Sequence, residues 1–251
     1  MKICQRSVSI LVGGAALVFV LGTGSRGGLP VAGAAEEGPA RGSEGSVAGQ
    51  DFEEDPWEPF NEAMFSFNRQ VDRTVIKPVA TVWDALLPDL VQRSLGNAVD
   101  NLSVVRRVVN NLLQLKLEGA ARELVRFTVN STFGIGGLFD VARDGVGIAQ
   151  SDEDTGQTLG VYGVGPGPYL VLPLLPPMTV RDGIGFALDG AMNPLNYFIP
   201  IGATLGIYGT DIVNERSLHL DQFERVEEST IDLYSAVRNA YLQRRAAAIR
   251  E

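Results

Sequence analysis

The sequence predicts a mainly α-helical domain from about residue 55 to residue 247, interrupted by a glycine- and proline-rich loop or hairpin. Two observations carry that prediction. Apolar residues recur at spacings of three and four in four successive segments: Phe60, Met64, Phe67 and Val71; Val91, Leu95, Ala98 and Leu102; Val105, Val108, Leu112 and Leu115; Leu117, Ala120, Leu124 and Phe127. Each set lies on one face of a helix. Residues 134–167, in contrast, hold ten glycines, where average usage of about 7% gives two or three. Glycine at that density confers backbone freedom instead of packing.

The N-terminal segment reads differently from the domain. Lys2 and Arg6 precede an apolar run from Val8 to Leu21, and small residues end in Ala32, Gly33 and Ala34. That order is the pattern of a secretory signal peptide over residues 1–34. A membrane anchor is the competing reading, but the run is 14 residues long and holds Gly13 and Gly14, where a span needs about 20 residues. Cleavage after Ala34 removes Lys2, Arg6 and Arg26 and no acid, so the net charge moves from −9 to −12. This balance argues against nucleic acid or an anionic surface as an electrostatic partner. The single cysteine, Cys4, leaves with the leader. A lipid-acceptor cysteine would follow the apolar run, and none does. Residues 35–54, rich in Gly, Ser, Ala and acid, predict a flexible linker.

Folding is expected to start at Asp55, with Asp55 capping a helix, Pro56 at its first position and Glu58 three residues on. Pro78, Pro88 and the Leu115-Lys116-Leu117 junction punctuate the helical patterns, and the third and fourth are either continuous or separate. Residues 155–210 hold only Arg181, Asp182 and Asp189 as charges, against fourteen charges in residues 211–251. So charge-poor a stretch is either deeply buried or faces lipid. Pro166, Pro168, Pro173, Pro176, Pro177, Pro194 and Pro200 exclude one spanning helix. A last helical pattern, Ile231, Tyr234, Val237 and Tyr241, precedes a short tail at 248–251.

Chemistry of the common catalytic kinds is missing. No serine has glycine at both −2 and +2, and His219 is the only histidine, so a nucleophile elbow with its triad is not supported. One histidine and no mature cysteine leave no zinc or iron ligand set. Asp152, Glu153 and Asp154 cluster without the glycine and spaced oxygens of a calcium loop. No cofactor or metal is expected, and no enzyme activity.

Several tracts together resemble the MlaA (VacJ) family of outer-membrane lipid-asymmetry proteins. They are DPWEPFN from Asp55 to Asn61, Phe67-Asn68, KPVA from Lys77 to Ala80, VNNLLQ from Val109 to Gln114, RFTVNSTFGIGGLFDVA from Arg126 to Ala142, GQTLGVYGVGPGPYLVLP from Gly156 to Pro173, and Arg181-Asp182. The resemblance covers about residues 55–200. It implies a ring-like arrangement of amphipathic helices in the outer membrane, on its periplasmic side, enclosing a polar channel. It also implies three partners: phospholipid, a trimeric porin, and a periplasmic lipid carrier. The chain departs from the family in lacking a lipid-acceptor cysteine, in prolines 176 and 177 after Leu174-Leu175, and in the tract Asp154-Thr155-Gly156.

With that resemblance, three groups of residues become candidates. Trp57, Phe60, Phe65 and Phe67 are expected at the membrane interface, with an ordinary core helix as the plainer reading. Gly163, Gly165 and Gly167 are expected to form either a hinge over the channel or a tight turn. Arg126, Arg181 and Asp182 sit in apolar surroundings, where they either pair or face a wet channel, Arg181 being the candidate for phosphate. A porin-associated structural module and a soluble periplasmic lipid carrier stand as the alternatives to lipid transport at the membrane.

Overall fold

The computed structural model describes residues 55–250; the expected signal peptide, Cys4 and the linker lie outside the described residues. The fold is mainly helical, as the periodicity predicts. Helix α1 (Glu58–Val71) passes through one π-helical turn (Asp72–Ile76) into α2 (Lys77–Leu86), followed by α3 (Asp89–Leu102), α4 (Val104–Leu113) and α5 (Leu117–Thr132). Two short helices, α6 (Val141–Asp144) and α7 (Thr155–Val161), lead to a small antiparallel pair, β1 (Tyr169–Leu170) and β2 (Met178–Thr179). Tyr169 stands opposite Thr179 and Leu170 opposite Met178. The chain then runs through α8 (Val180–Met192), α9 (Leu195–Phe198), α10 (Ile201–Leu218), α11 (Leu220–Ser229) and α12 (Leu233–Arg250).

Local chemistry sets the breaks. Asp55 does not cap α1 as expected: its carboxylate accepts from the Trp57 amide at 3.0 Å and from Asn61 Nδ2 at 2.9 Å, and from the Tyr234 hydroxyl. With Asp55 occupied and Pro59 in the first turn, the helix begins at Glu58. Pro78 has no N–H, so it does not break the chain but sits in the first turn of α2; ahead of it Lys77 N donates to Asp72 O across a widened π turn. Pro88 does end a helix. The third and fourth patterns are separate helices, turned at Leu115, whose φ of 60° is left-handed, and α4 and α5 pack as a hairpin. Helix α12 continues past residue 247 to Arg250, so the expected tail is helical at 248–250.

Among the described residues, a conventional core exists only where α1, β1 and α12 meet. Phe65, Tyr169, Val171, Leu233, Tyr234 and Val237 pack there, with Phe65 edge-on to Tyr234 at 5.7 Å. Elsewhere burial is reversed. Among the described residues, twenty-five polar or charged side chains are buried against twelve hydrophobic ones, the opposite of a water-soluble interior. In α4, Arg107, Asn110 and Asn111 point inward, while Val105, Leu112 and Leu113 point out. The charge-poor stretch follows the same rule. Ile184, Phe186, Leu188, Tyr197, Phe198 (86% exposed) and Ile201 face outward, and its three charges are buried.

Close approach of α7 to α8 depends on two glycines. A Cβ on Gly185 would lie 2.3 Å from the Gly156 amide nitrogen, inside any allowed contact. Replacing Gly185 by alanine therefore forces the helices apart and is expected to cost about 2 kcal/mol, in the range of overpacked interiors. Gly190, on the same helix, has open space around it, and Gly190→Ala should leave thermal unfolding in detergent unchanged or slightly raised. Equal melting temperatures for the two variants would contradict the close crossing.

Candidate functional site: a polar interior and a glycine loop

Polar residues at helical spacing line the inner faces of α3, α4 and α5. Arg107 Nε donates to Glu123 at 2.5 Å, and Arg107 also reaches the Asp100 carbonyl at 3.0 Å. Glu123, fully buried, accepts a further bond from the Ser151 amide at 2.6 Å. One turn on, Arg126 donates to Asp140 at 3.1 Å and to the Ile148 carbonyl. Asn130 donates to Asp140 at 2.9 Å and accepts from the Ala142 amide at 2.9 Å. Burial would raise the Asp140 pKa, but the bonds from Asn130 and Arg126 and the nearby guanidinium charges bring it below the usual range. These groups surround a small polar cavity lined by Asn97, Asn101, Arg107, Arg126, Asn130 and Asp140.

A second cluster ties α12 to α7 and α8. Arg245 binds Asp154 at 2.5 and 2.9 Å and Asp182 at 2.8 and 3.1 Å. Arg181 binds Asp182 at 2.9 and 3.0 Å, and the Tyr241 hydroxyl donates to the same carboxylate. Burial alone would raise the Asp154 pKa. Hydrogen bonds from Arg245, its charge and the Gln157 amide outweigh that and bring it to about 2. Asp189 differs: burial raises its pKa, although Thr155 donates to it at 2.6 Å and Asn110 at 3.2 Å. A third pair, Arg216 to Asp72 at 3.0 and 3.3 Å, holds α10 to the π turn.

The glycine loop leaves this interior at the end of α7. Gly163 (φ 86°) and Gly167 (φ 67°) are left-handed, a conformation that L side chains rarely adopt, whereas Gly165 is not left-handed and has open space. Arg181 holds the loop through its side chain to the Val164 carbonyl at 3.4 Å and its amide to the Pro166 carbonyl at 3.1 Å. Val180 N reaches the Pro168 carbonyl at 3.1 Å.

The sequence candidates thus fall into separate places. Arg181 and Asp182 pair with each other beside the glycine loop, while Arg126 belongs to the α5 cluster with Asp140. Trp57, Phe60 and Phe67 lie on the outside. Phe65 corrects the expectation of an interfacial position: it is 3% exposed and packs in the core, because the helix rotation that turns Phe60 and Phe67 out turns Phe65 toward Tyr234. Sequence reasoning missed Asn61, Asn68, Arg107, Asn110, Asn111, Glu123, Asn130 and Asp140. Apart from Asp140, which caps α6, their signal was a polar stripe at spacings of three, four and seven along amphipathic helices.

Residues 53–248 match the profile of the family described as MlaA lipoprotein. The chain belongs to the MlaA family. It is 34% identical over 206 residues to the intermembrane phospholipid transport system lipoprotein MlaA of Escherichia coli K12, covering 81% of each chain. The corresponding MlaA of Haemophilus influenzae is 32% identical over 192 residues, covering 75% of this chain and 76% of that one. An uncharacterized protein of Rickettsia felis is 35% identical over 196 residues, with 78% of each chain covered. Among solved structures, the chain resembles one from work on the structural basis for maintenance of bacterial outer membrane lipid asymmetry, at a TM-score of 0.70 and 32% identity, over 78% of this chain and 99% of that one.

In this MlaA fold, the Arg245 cluster makes stability depend on pH. Folding lowers the Asp154 pKa from 3.8 to about 2, so its contribution is complete above the unfolded value and is lost as pH falls from about 4 toward 2. The magnitude is roughly 2 kcal/mol. Arg245→Met is expected to flatten this acid limb and to cost about 3 kcal/mol at neutral pH by stranding Asp154 and Asp182. Thermal melts between pH 2 and pH 7 measure both effects; an unchanged acid limb would refute the assignment.

Proposed function

We propose that this chain is a non-enzymatic component of intermembrane phospholipid transport at the outer membrane, which takes mislocalised phospholipid from the outer leaflet and passes it to a periplasmic carrier. Membership of the MlaA family supports the transport role. The reversed burial is the observation that carries the location. An apolar exterior over a polar interior is stable where the surroundings are hydrocarbon, and exposed to water it would associate. That exterior also counts against a freely soluble carrier. Among the described residues no helix is long and apolar enough to cross a membrane, so we place the chain with its helices as a ring, seated in the bilayer by their outer faces. A trimeric porin as neighbour is part of the same reading.

Phospholipid chemistry explains why both surfaces are needed. Exposing two acyl chains of about 30 methylenes to water costs roughly 20 kcal/mol. The headgroup charge is costly in hydrocarbon. A route for the whole molecule therefore needs an apolar side for the tails and a polar wall for the phosphate, and α3, α4 and α5 carry one on each face. The arginines of the inner face are held by Glu123, Asp140 and Asp182, so the wall is polar without a strong net charge.

Mass spectrometry of lipid that copurifies with the mature chain tests the reading directly: phospholipid is expected, and free fatty acid accumulating on incubation would instead indicate hydrolysis. Paired Leu124→Glu and Phe127→Glu on the outer face of α5 should reduce recovery with membranes at least tenfold, since each side chain withdraws about 2 kcal/mol of burial. Recovery equal to the unaltered chain would remove the bilayer-facing assignment. At the loop, we expect Gly163→Ala, which meets a left-handed φ, to change surface-accessible phospholipid in cells at unchanged protein level, and Gly165→Ala to be silent. Identical behaviour of the two variants would reduce the loop to a static turn.

A further inference from the structure

Helix α1 carries two asparagines whose side chains behave as a strand edge. Asn61 Nδ2 donates to the Tyr169 carbonyl at 2.9 Å while its Oδ1 accepts from the Val171 amide at 2.8 Å. Asn68 repeats the arrangement: Nδ2 to the Leu172 carbonyl at 2.9 Å, and Oδ1 from the Leu174 amide at 2.8 Å. Each carboxamide thus brackets a carbonyl and the amide two residues later, as a peptide group of a neighbouring strand would.

Seven helical residues advance about 10.5 Å at 1.5 Å per residue, which carries Asn68 from the strand held by Asn61 to the turn that follows it, where Leu175 N donates to the Leu172 carbonyl at 3.3 Å. Both asparagines are inaccessible, at 0% and 2% exposure, so water does not compete for these bonds. The segment they hold ends at Leu174, whose φ of 59° is strained for leucine, and begins immediately after the loop of Gly163, Gly165 and Gly167. Its opposite edge pairs with β2, and Tyr169 and Val171 enter the core.

We infer that Asn61 and Asn68 are positioning residues, a two-point clamp on Tyr169–Leu174 that sets where the glycine loop stands and thereby controls passage of phospholipid. The inference rests on the transport reading given above. The loop is anchored at its far end by this clamp and at its flank by Arg181. Gly163 and Gly167 are the points about which it turns once the clamp is gone. Asparagine is required because one planar group must donate and accept at once; aspartate accepts only, and its second oxygen would face the Leu172 carbonyl.

The test uses the full chain in detergent with spin labels at Val164→Cys, on the loop, and Arg122→Cys, on the exposed side of α5, with Cys4 absent after processing or replaced by serine. A narrow label-to-label distance distribution is expected for the native clamp, and a distribution at least twice as broad for Asn61→Ala with Asn68→Ala. Hydrogen exchange should speed up at the Val171 and Leu174 amides at least tenfold while α4 and α5 keep their protection, which a general loss of folding would not produce. In cells lacking their own copy, the same double variant should leave surface-accessible phospholipid at least twofold above the native chain. Should the double variant not accumulate, Asn68→Asp provides the same comparison. An unbroadened distribution overturns the clamp; a broadened one with native surface phospholipid overturns its control of passage. Failure of the native chain itself to lower surface phospholipid would instead sink the transport reading and leave the distance result standing.

Discussion

Buried charge paired inside an apolar shell is the constraint on which this structure depends. A soluble helical protein closes on hydrocarbon and leaves its polar residues in water. Here the outer faces carry the leucines, valines and phenylalanines, so the inner faces must satisfy their own hydrogen bonds and charges. Glu123 illustrates the consequence: its two oxygens take the Arg107 guanidinium and the Ser151 amide, which join α4, α5 and the segment entering α7. Removing one member strands the others, and an uncompensated buried charge costs about 3–5 kcal/mol. Specific pairing thus replaces much of what interdigitating hydrocarbon does in an ordinary core.

The same constraint explains the role of α12. Its inner face presents Tyr234 to Asp55, Tyr241 to Asp182 and Arg245 to both Asp154 and Asp182. The first of these bonds joins it to the start of the described chain and the others to α7 and α8. Distant parts of the sequence are therefore closed by carboxylates that accept from tyrosine and arginine. The aromatic core of Phe65, Tyr169 and Tyr234 lies beside these bonds and is the one place where apolar packing supports them.

Much of the fold was legible from the sequence because helical periodicity does not depend on which side is buried. The patterns at Val105 and Leu112 and at Leu117, Leu124 and Phe127 located α4 and α5 correctly although those residues face out. Periodicity cannot tell the two faces apart, which leaves the charge-poor stretch open between burial and lipid; Phe65 joins Phe60 and Phe67 as an interface candidate by residue type alone, since it lies outside the stripe of Phe60, Met64, Phe67 and Val71. A shift of two or five positions along a helix moves a side chain by about 200° or 500° at 3.6 residues per turn, enough to separate Phe65 from its aromatic neighbours. The site was less legible. Arg126, Arg181 and Asp182 stood out by contrast with apolar surroundings, whereas Asp140 and Glu123 did not, because most of their partners lie 10 to 28 residues away. Asparagines 61 and 68 gave no charge signal at all, and the backbone groups they hold are more than 100 residues distant.

Placement of the glycine loop follows from these forces taken together. A segment that changes position must be poor in apolar contacts and have backbone freedom, and residues 161–167 are exposed with left-handed glycines at 163 and 167. Such a segment holds a defined place only if its ends are fixed more firmly than its middle. On one side the end is α7, capped by Asp154, which is itself bound to Arg245. On the other it is β1, paired with β2, packed through Tyr169 into the aromatic core and held by two carboxamides of α1. Bonded anchors on both sides leave the left-handed glycines 163 and 167 between them, so the position of the loop is set by how tightly its neighbours are bound.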